Sequence, residues 1–431
     1  MIRTCLTSRA VGFAVRTAIS ALLILAFLVP AVFAGDWQGQ VVEKEGVKHV
    51  MNPAAPMEDG LVVNLQENWR LGMDDESDEE FFGVIARVLV DGDGRVFVLD
   101  AQLNEIKIYD ADGMYETTIG REGEGPGEFR GASDMFFTSD GRIAVMQTLP
   151  GRIVTLSKDG EPGEDIPLPQ DETGASPFLL GGRRLGDDIL MAGWMQKIDA
   201  GKYEMNRYMA TMDYSGNEKA RVHESLRHLD FANVVFDENE WDTFDSRWAV
   251  SPDDARIYAC VDHFPYAVSV WNSAGEPSMI IEREYKRLPR SEEKRERVES
   301  IYKAFTRQVP NSNYKIYPDD KDVQSIYPRE DGSLWVLTSR GVEEKPDGAI
   351  GIFDVYNRSG QFVRQVTLHG DGNPTRDNFM FVGDRLFVLT GWLDAAMAAQ
   401  GGGPSEEEEE LEEAEPMGVI CYQIDVPNMG L

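Results

Sequence analysis

Alternating apolar and polar residues recur along the chain in short runs that are separated by Gly-containing turns. The first clear unit reads VIARVLV-DGDG-RVFVLD and then EIKIYD-ADG-MYETTIG. This pattern is typical of consecutive β-strands whose side chains point to alternate faces of a sheet. Asp93-Gly94 and Asp112-Gly113 suit tight hairpin turns, because Gly tolerates the positive φ that such turns require. The unit predicts one four-stranded antiparallel sheet.

Six copies of this unit follow one another. The second copy keeps the spacing of the first, with 19 residues between turn glycines in both (Gly94 to Gly113 and Gly141 to Gly160). The sixth copy has only three strands, and LVVNLQENWRLG (61–72) resembles the missing fourth strand. We therefore predict an all-β fold, a six-bladed β-propeller of four-stranded antiparallel blades. An N-terminal strand that completes the last blade would close the ring and protect its edges.

Residues 1–34 have the parts of a secretory signal peptide. Three arginines and no acidic residue precede an apolar run from Ala18 to Val29. The small residue Ala34 favours cleavage before Gly35. The alternative is an uncleaved membrane anchor, but the 17 residues from Ala18 to Ala34 are at the short end of the roughly 17–25 that span a bilayer. We expect cleavage and export to the periplasm or the medium.

The remaining chain divides into a linker (35–59) and the propeller (60–431). A helical insertion is predicted at 286–324, where Ser291 can cap a helix. Its apolar positions follow a helical spacing and would pack on the propeller as an inert cover or a moving lid: Val298, Ile301, Tyr302 and Phe305.

The long connections all fall on one side of the predicted propeller. Strands A to D of a blade run outward from the axis, so the A–B and C–D turns share one side and the B–C and D–A connections share the other. The extended connections belong to the second class: 194–205, 226–247, 286–324, 338–349 and 391–417. Long loops in compact domains are usually functional, although drift on a tolerant side would give the same pattern. We call this side the B–C/D–A face and predict that it binds a ligand or partner.

Charge narrows the range of partners. The chain of 431 residues has 42 Lys+Arg and 75 Asp+Glu, a net charge of −33. This disfavours nucleic acid and anionic membrane surfaces as partners. Two acidic runs, 74–80 and the loop 399–416, lie in connections of the B–C/D–A face. The loop is predicted to be disordered and solubilising, with loose calcium binding or a cationic partner as the alternative.

Two cysteines follow the signal peptide, Cys260 and Cys421, each within an apolar run. Two buried thiols are expected, and a single disulfide is the alternative.

One sequence resembles a metalloprotease motif without fitting it. His223 and His228 are five positions apart, and on a helix the second imidazole would be turned about 140° from the first. The two histidines therefore cannot bind one zinc ion from a single helix face.

A set of candidate ligand-binding residues follows from topology instead. Residues just past the ends of the B strands are expected to lie at the mouth of the central channel on the B–C/D–A face: Asp100, Gln147, Trp194, Asp262, His263, Arg340 and Trp392. Aromatic residues beside a few polar groups suit a ligand pocket better than a calcium site. Taken singly, each residue is better explained by a structural role, and Asp100 in particular by capping its own loop.

The first two units resemble a known family. GREGEGPGEF (120–129) and VFVLDAQLNEIKIYDADG (96–113) are similar to NHL repeats, with Glu105 where those repeats usually carry a basic residue. The closer resemblance is to secreted bacterial 6-bladed β-propeller proteins with an NHL-like first blade. This resemblance implies a binding platform, while related six-bladed folds include lactonases and lyases.

These observations favour an exported, non-enzymatic NHL-like propeller that binds a protein or small molecule on the B–C/D–A face, without a cofactor. The alternative is a metal-dependent enzyme of the lactonase or lyase kind. Its calcium or zinc would be held by Asp100, Asp262 and His263. A purely structural surface protein is the third possibility.

Overall fold

The chain folds into a six-bladed β-propeller, as predicted. The computed structural model describes residues 37–72, 79–169, 177–199, 202–229, 233–241, 247–251, 254–309, 311–399 and 417–425. The predicted signal peptide, most of the acidic run 74–80 and the acidic loop 399–416 beyond its first residue lie outside the described residues. Within the described ranges, no helix combines the length and apolar character needed to cross a membrane.

Four strands precede the first blade: β1 (Gln40–Lys44), β2 (Val47–Asn52), β3 (Leu61–Asn64) and β4 (Gln66–Leu71). Blade one contains β5 (Ile85–Val90), β6 (Val96–Asp100), β7 (Glu105–Tyr109) and β8 (Tyr115–Ile119). Blade two contains β9 (Ala132–Phe137), β10 (Ile143–Gln147) and β11 (Arg152–Leu156). Blade three contains β12 (Phe178–Leu185), β13 (Asp188–Asp199), β14 (Lys202–Met212) and β15 (Glu218–Leu229).

A short strand and helix, β16 (Val235–Asp237) and α1 (Glu238–Trp241), lead to blade four. Blade four contains β17 (Trp248–Val250), β18 (Ile257–Ala259), β19 (Ala267–Trp271) and β20 (Pro277–Arg283). The insertion contains α2 (Glu292–Gln308) and β21 (Asn313–Lys315). Blade five contains β22 (Val323–Pro328), β23 (Leu334–Thr338), α3 (Ser339–Glu343), β24 (Ala349–Tyr356) and β25 (Phe362–His369). Blade six contains β26 (Asn378–Val382), β27 (Arg385–Thr390), α4 (Trp392–Ala399) and β28 (Gly418–Gln423).

The core consists of six hydrophobic clusters, one between each pair of neighbouring blades in the described chain. The alternation along each strand explains them. In β6, Val96 and Val98 pack toward blade six, whereas Phe97 and Leu99 pack toward blade two. Because every blade is covered on both faces, burial of apolar area holds the whole ring together.

The N-terminal segment departs from the prediction. The predicted linker 35–59 instead contains the hairpin β1–β2, and β2 pairs in parallel with β20 of blade four. The predicted single strand 61–72 is divided, because β3 pairs in parallel with β25 of blade five while β4 pairs antiparallel with β28 of blade six. Blades four and five therefore have more than four strands.

Blade two has only three regular strands among the described residues. Pro162, Pro167 and Pro169 interrupt the predicted fourth strand, since proline donates no backbone N–H to a ladder. In place of a fourth strand, two isolated bridges pair Pro162 with Leu156 and Ile166 with Ile153.

The hairpin turns and the cysteines agree with the sequence. Gly94 and Gly113 have φ of 86° and 82°, the left-handed conformation that their turns require. Cys260 and Cys421 are both buried free thiols, which confirms the first of the two expectations. Burial raises the pKa of each thiol to about 11.

Several of the connections on the B–C/D–A face contain regular secondary structure where they are described. The predicted loop 194–205 is wrong for blade three, because β13 and β14 continue as a paired hairpin to Asp199 and Lys202. Helix α2 begins as predicted, with the Ser291 hydroxyl accepting the Lys294 N–H at 3.2 Å. Val298, Ile301 and Tyr302 are half-buried. The helix contacts β16 and β21, which pair in parallel with each other.

Candidate functional site

Asp100 and Gln147 end B strands and are fully buried, and both serve their own loops. The Asp100 carboxylate accepts four backbone N–H groups, from Gly83 (2.7 Å), Val84 (3.2 Å), Gln102 and Leu103 (both 2.9 Å). Gln147 accepts the N–H of Arg130 and donates to the carbonyl of Pro150. A carboxylate with four N–H donors is already satisfied, so the geometry of Asp100 is that of a loop cap.

Trp194, Arg340 and Trp392 lie on three different blades. The Trp194 ring stacks on Phe178 with 4.8 Å between ring centroids. Arg340 lies in α3, where its Nε donates to the Lys286 carbonyl (2.7 Å) and its Nη1 pairs with Glu344. The indole of Trp392 donates to the Ile85 carbonyl at 2.9 Å and joins blade six to blade one.

Asp262 and His263 follow β18 in blade four. Asp262 is exposed, whereas His263 is 8% exposed and packs edge-on against the ring of Phe264. Asp100 lies in blade one, three blades away. In the described part of the chain, no three His, Cys, Asp or Glu side chains are grouped so that they could hold a metal ion. The proposed ligands Asp100, Asp262 and His263 are therefore not brought together here.

One cavity on the B–C/D–A face does bring polar groups together. It lies between blades three and four and has a volume of about 40 Å³. We call it the inter-blade cavity, and eight residues line it: Arg207, His223, Ser225, Arg227, Asn239, Arg247, Val261 and His263. His263 is the one member of the seven-residue set that lines it.

Strand register explains how blade three contributes to the cavity. Arg207 on β14 is directly opposite Ser225 on β15. His223 and Arg227 share the face of Ser225, because side chains two residues apart on a strand point the same way. Trp194 is opposite Arg207 across β13 and β14, although it does not line the cavity.

Blade four and the connection before it complete the wall. Asn239 belongs to α1, Arg247 precedes β17, and Val261 and His263 lie in the B–C loop of blade four. The first two residues belong to the extended connection 226–247 and the last two to the shorter B–C loop of blade four, so one insertion and one short loop of the B–C/D–A face form this wall.

Backbone carbonyls hold two of the guanidinium groups in place. Arg207 Nη1 donates to the Glu240 carbonyl at 3.1 Å. Arg247 Nη1 donates to the carbonyls of Asp262 and His263 at 3.2 and 3.1 Å. Both arginines are 2% exposed. Burial lowers the pKa of Arg247 and of Arg227 below the usual value of arginine.

The two histidines of the cavity are also affected by burial. Burial lowers the pKa of His223, and the charges of Asp262 and Glu224 oppose this. Burial lowers the pKa of His263 as well, opposed by Glu238. Since an unperturbed His has a pKa of about 6.5, both imidazoles are neutral at pH 7.

A buried ion network lies behind His263. The Nε2 atom of His263 is 3.6 Å from Glu238 Oε1, and the Glu238 carboxylate is bound by the Arg290 guanidinium. Burial favours the protonated form of Glu238, but the contacts of His263 and Arg290 outweigh it and lower its pKa to about 2. The pair of Arg290 and Glu238 connects the insertion to the connection containing α1, and Arg290 also donates to Asp320 within the insertion at 2.9 Å.

The sequence contained a signal for this site that the helical test of the histidines missed. In HESLRH, His223, Ser225 and Arg227 are two residues apart, so on a strand they share one face. A polar face on an outer strand beside an insertion is a candidate binding surface. Arg207 and Arg247 gave no such signal, since only the tertiary structure brings them to the cavity.

Comparison with known proteins agrees with the fold. A family model described as a 6-bladed β-propeller, DUF5128, matches residues 76–234. No match to a curated protein was found. The family match covers less than half of the chain and, together with the six blade sheets, supports the β-propeller fold.

Three solved structures illustrate the similarity. A candidate exported protein of Bacteroides fragilis is 13% identical, over 85% of this chain and 100% of that one, with a TM-score of 0.45. A DUF4221 family member from Bacteroides vulgatus is 12% identical, over 84% and 98%, with a TM-score of 0.45. A gluconolactonase of Xanthomonas campestris is 12% identical, over 82% and 89%, with a TM-score of 0.40.

Proposed function

We propose that the protein is an exported, NHL-like propeller that acts as a non-enzymatic binding module and holds its ligand in the inter-blade cavity. The observation that carries this proposal is that the extended connection 226–247 and the B–C loop of blade four form a polar cavity with side chains from blade three. Placed polar groups of this kind fix the orientation of a bound ligand. Export rests on the signal-like segment 1–34.

A ligand that binds only the folded protein raises its stability, by about 2.7 kcal/mol at a hundredfold excess over Kd. The test is thermal unfolding of the purified protein with a panel of small carboxylates and phosphate esters, neutral sugars and lactones, and amines. Ser225→Phe fills the cavity, and Thr117→Phe on the exposed face of β8 is the matched control.

We expect one compound class to raise the unfolding temperature saturably in the native chain and in Thr117→Phe, but not in Ser225→Phe. Equal stabilisation of both variants, or no stabilisation by any class, would reject the inter-blade cavity as the binding site.

The same assay addresses the metal-dependent lactonase or lyase alternative. Unfolding is repeated with excess EDTA and then with added calcium or zinc, followed by measurement of lactone consumption. Saturable stabilisation by one metal, with lactone turnover that EDTA abolishes, would replace the binding module by the enzyme. An unchanged unfolding temperature and no turnover would support the binding module.

A further inference from the structure

We propose that the inter-blade cavity binds a small oxyanion, either free or as the sulfate, phosphate or carboxylate end of a larger ligand. This inference rests on the proposed binding function and names the ligand class of that same site. It differs from the expectation of a cationic partner, which came from acidic runs elsewhere on the B–C/D–A face.

The composition of the wall carries the inference. Of the eight lining residues, three are arginines and two are histidines, and none is a carboxylate. Ser225 and Asn239 add a hydroxyl and an amide, which can also donate hydrogen bonds to an anion. Guanidinium groups offer several N–H donors in a planar array that matches carboxylate and phosphate oxygens. Such a wall would donate hydrogen bonds to the oxygens of an anion. It would offer few acceptors to an ammonium group.

The nearby carboxylates bind other cations. Glu238 is bound by Arg290, and Asp237 by Lys315 at 2.7 Å. Glu240 and Asp262 have exposed side chains, and their charges favour the protonated forms of Arg227 and His223, respectively. The contacts that the cavity arginines make to Glu240, Asp262 and His263 are to backbone carbonyls.

Arg227 is the donor best placed to respond to a ligand. Its Nη1 atom is buried and has no hydrogen-bond partner among the described residues. A buried guanidinium nitrogen without an acceptor is unfavourable, and an anion in the cavity would supply one.

The size of the cavity limits the ligand. A water molecule needs roughly 10–15 Å³ of cavity volume. The inter-blade cavity, at about 40 Å³, therefore holds a few waters or one small oxyanion group. A larger ligand would therefore place only its anionic end here.

Proton uptake should accompany binding. An anion favours the imidazolium forms of His223 and His263, against the burial that keeps both neutral. Glu224 and Asp262 also face His223, and Glu238, Arg247 and Lys321 face His263. The cavity should therefore bind the anion more tightly at pH 5.5 than at pH 8.

The test is calorimetric titration of the native chain with sodium sulfate, whose charge is constant between these pH values, in a constant background of sodium chloride. A sodium chloride titration matched in ionic strength is the salt control. Arg227→Gln should weaken sulfate binding roughly tenfold or more, since it removes charge-assisted hydrogen bonds. Arg221→Gln is the matched control, because Arg221 is on the same strand but pairs with Glu218 outside the cavity.

A second readout does not depend on the variants. The chain has five histidines, so their imidazole NMR signals can be assigned individually. Sulfate should raise the pKa of His223 and His263 and should not move the signals of His49, which lies on β2 outside the cavity.

The outcomes separate the two proposals. Sulfate that binds no better than chloride, or equal losses in Arg227→Gln and Arg221→Gln, would overturn the oxyanion inference. If a neutral or cationic compound then gives stabilisation that Ser225→Phe abolishes, the binding function stands with a different ligand class. If no compound depends on the cavity, both proposals fail.

Discussion

At the scale of single residues, Asn52 joins the N-terminal hairpin to two blades. Its Oδ1 accepts the backbone N–H of Phe362 at 2.7 Å, and its Nδ2 donates to the carbonyls of Glu282 (3.0 Å) and Gly360 (2.9 Å). Asn52→Ala leaves these buried backbone groups without partners. We expect it to lower the free energy of unfolding by about 2–4 kcal/mol, measured by urea denaturation.

The control is Asn64→Ala, which removes the same amide from an exposed position on β3. Its effect should stay within about 0.5 kcal/mol, as for most surface substitutions. Similar losses in the two variants would show that Asn52 has no special role in joining the blades.

His223 and His263 predict how stability depends on pH. Their pKa values are lower in the folded chain than in the unfolded one, so the unfolded chain binds protons first as the pH falls. Their contribution is complete above about pH 6.5 and is lost as the pH falls through their folded pKa values. We expect the free energy of unfolding to decrease from pH 7 to pH 5, before the stabilisation of Glu238 is affected.

His263→Gln should make this decrease shallower in urea denaturation measured at several pH values. His228→Gln, which makes the same substitution at an exposed position, is the matched control. An unchanged slope in His263→Gln would mean that other groups determine the acid sensitivity.

At the scale of elements, charge pairs hold the insertion against its neighbours. Arg290 lies before α2 and binds Glu238 and Asp320, and all three side chains are buried. Removing one partner of a buried ion pair lowers the free energy of unfolding by about 3–5 kcal/mol, because the other charge is left uncompensated. Arg290→Gln should therefore loosen the insertion and speed amide hydrogen exchange across 286–320.

Arg295→Gln is the matched control, because Arg295 is exposed and pairs with Glu292 within the helix. It should leave exchange in β21 unchanged. Fast exchange of the insertion in the native chain, unaffected by either variant, would instead favour a moving lid over a fixed cover.

The sequence predicted the positions of the strands better than it predicted which strands pair with one another. Alternation and Gly turns located the blades, because period-2 patterns and positive φ are local properties. The parallel pairing of β2 with β20 could not be read, since the two strands are more than 200 residues apart and either edge of the hairpin has the same pattern. The cavity was equally hidden, because Arg207, Arg227 and Arg247 meet only through strand register and ring geometry.

At the scale of the whole molecule, the cavity contrasts with the charge of the chain. A net charge of −33 repels anions at long range, while three arginines attract one at short range. A protein of this kind selects an anion by fit and hydrogen bonds rather than by general attraction. The acidic exterior would also exclude polyanions such as nucleic acid from the same site.

Ring closure gives the last prediction. The N-terminal segment crosses three blades, with β2 on blade four, β3 on blade five and β4 on blade six. A chain that begins at Gly60 loses only the outer hairpin and should still unfold cooperatively, at a lower temperature. A chain that begins at Glu79 also loses β3 and β4, and β4 covers the edge of β28 and supplies Trp69 and Leu71 to the cluster between blades six and one.

The second truncation should lose cooperative unfolding in calorimetry, because opening the ring exposes an apolar cluster and a strand edge at once. The Gly60 chain is its control, since both variants lack β1 and β2. If the chain from Glu79 unfolded as sharply and at the same temperature as the chain from Gly60, the contacts between blades six and one would suffice without β4. Pairing of the N-terminal strand with blade six would then not be needed to keep the ring closed.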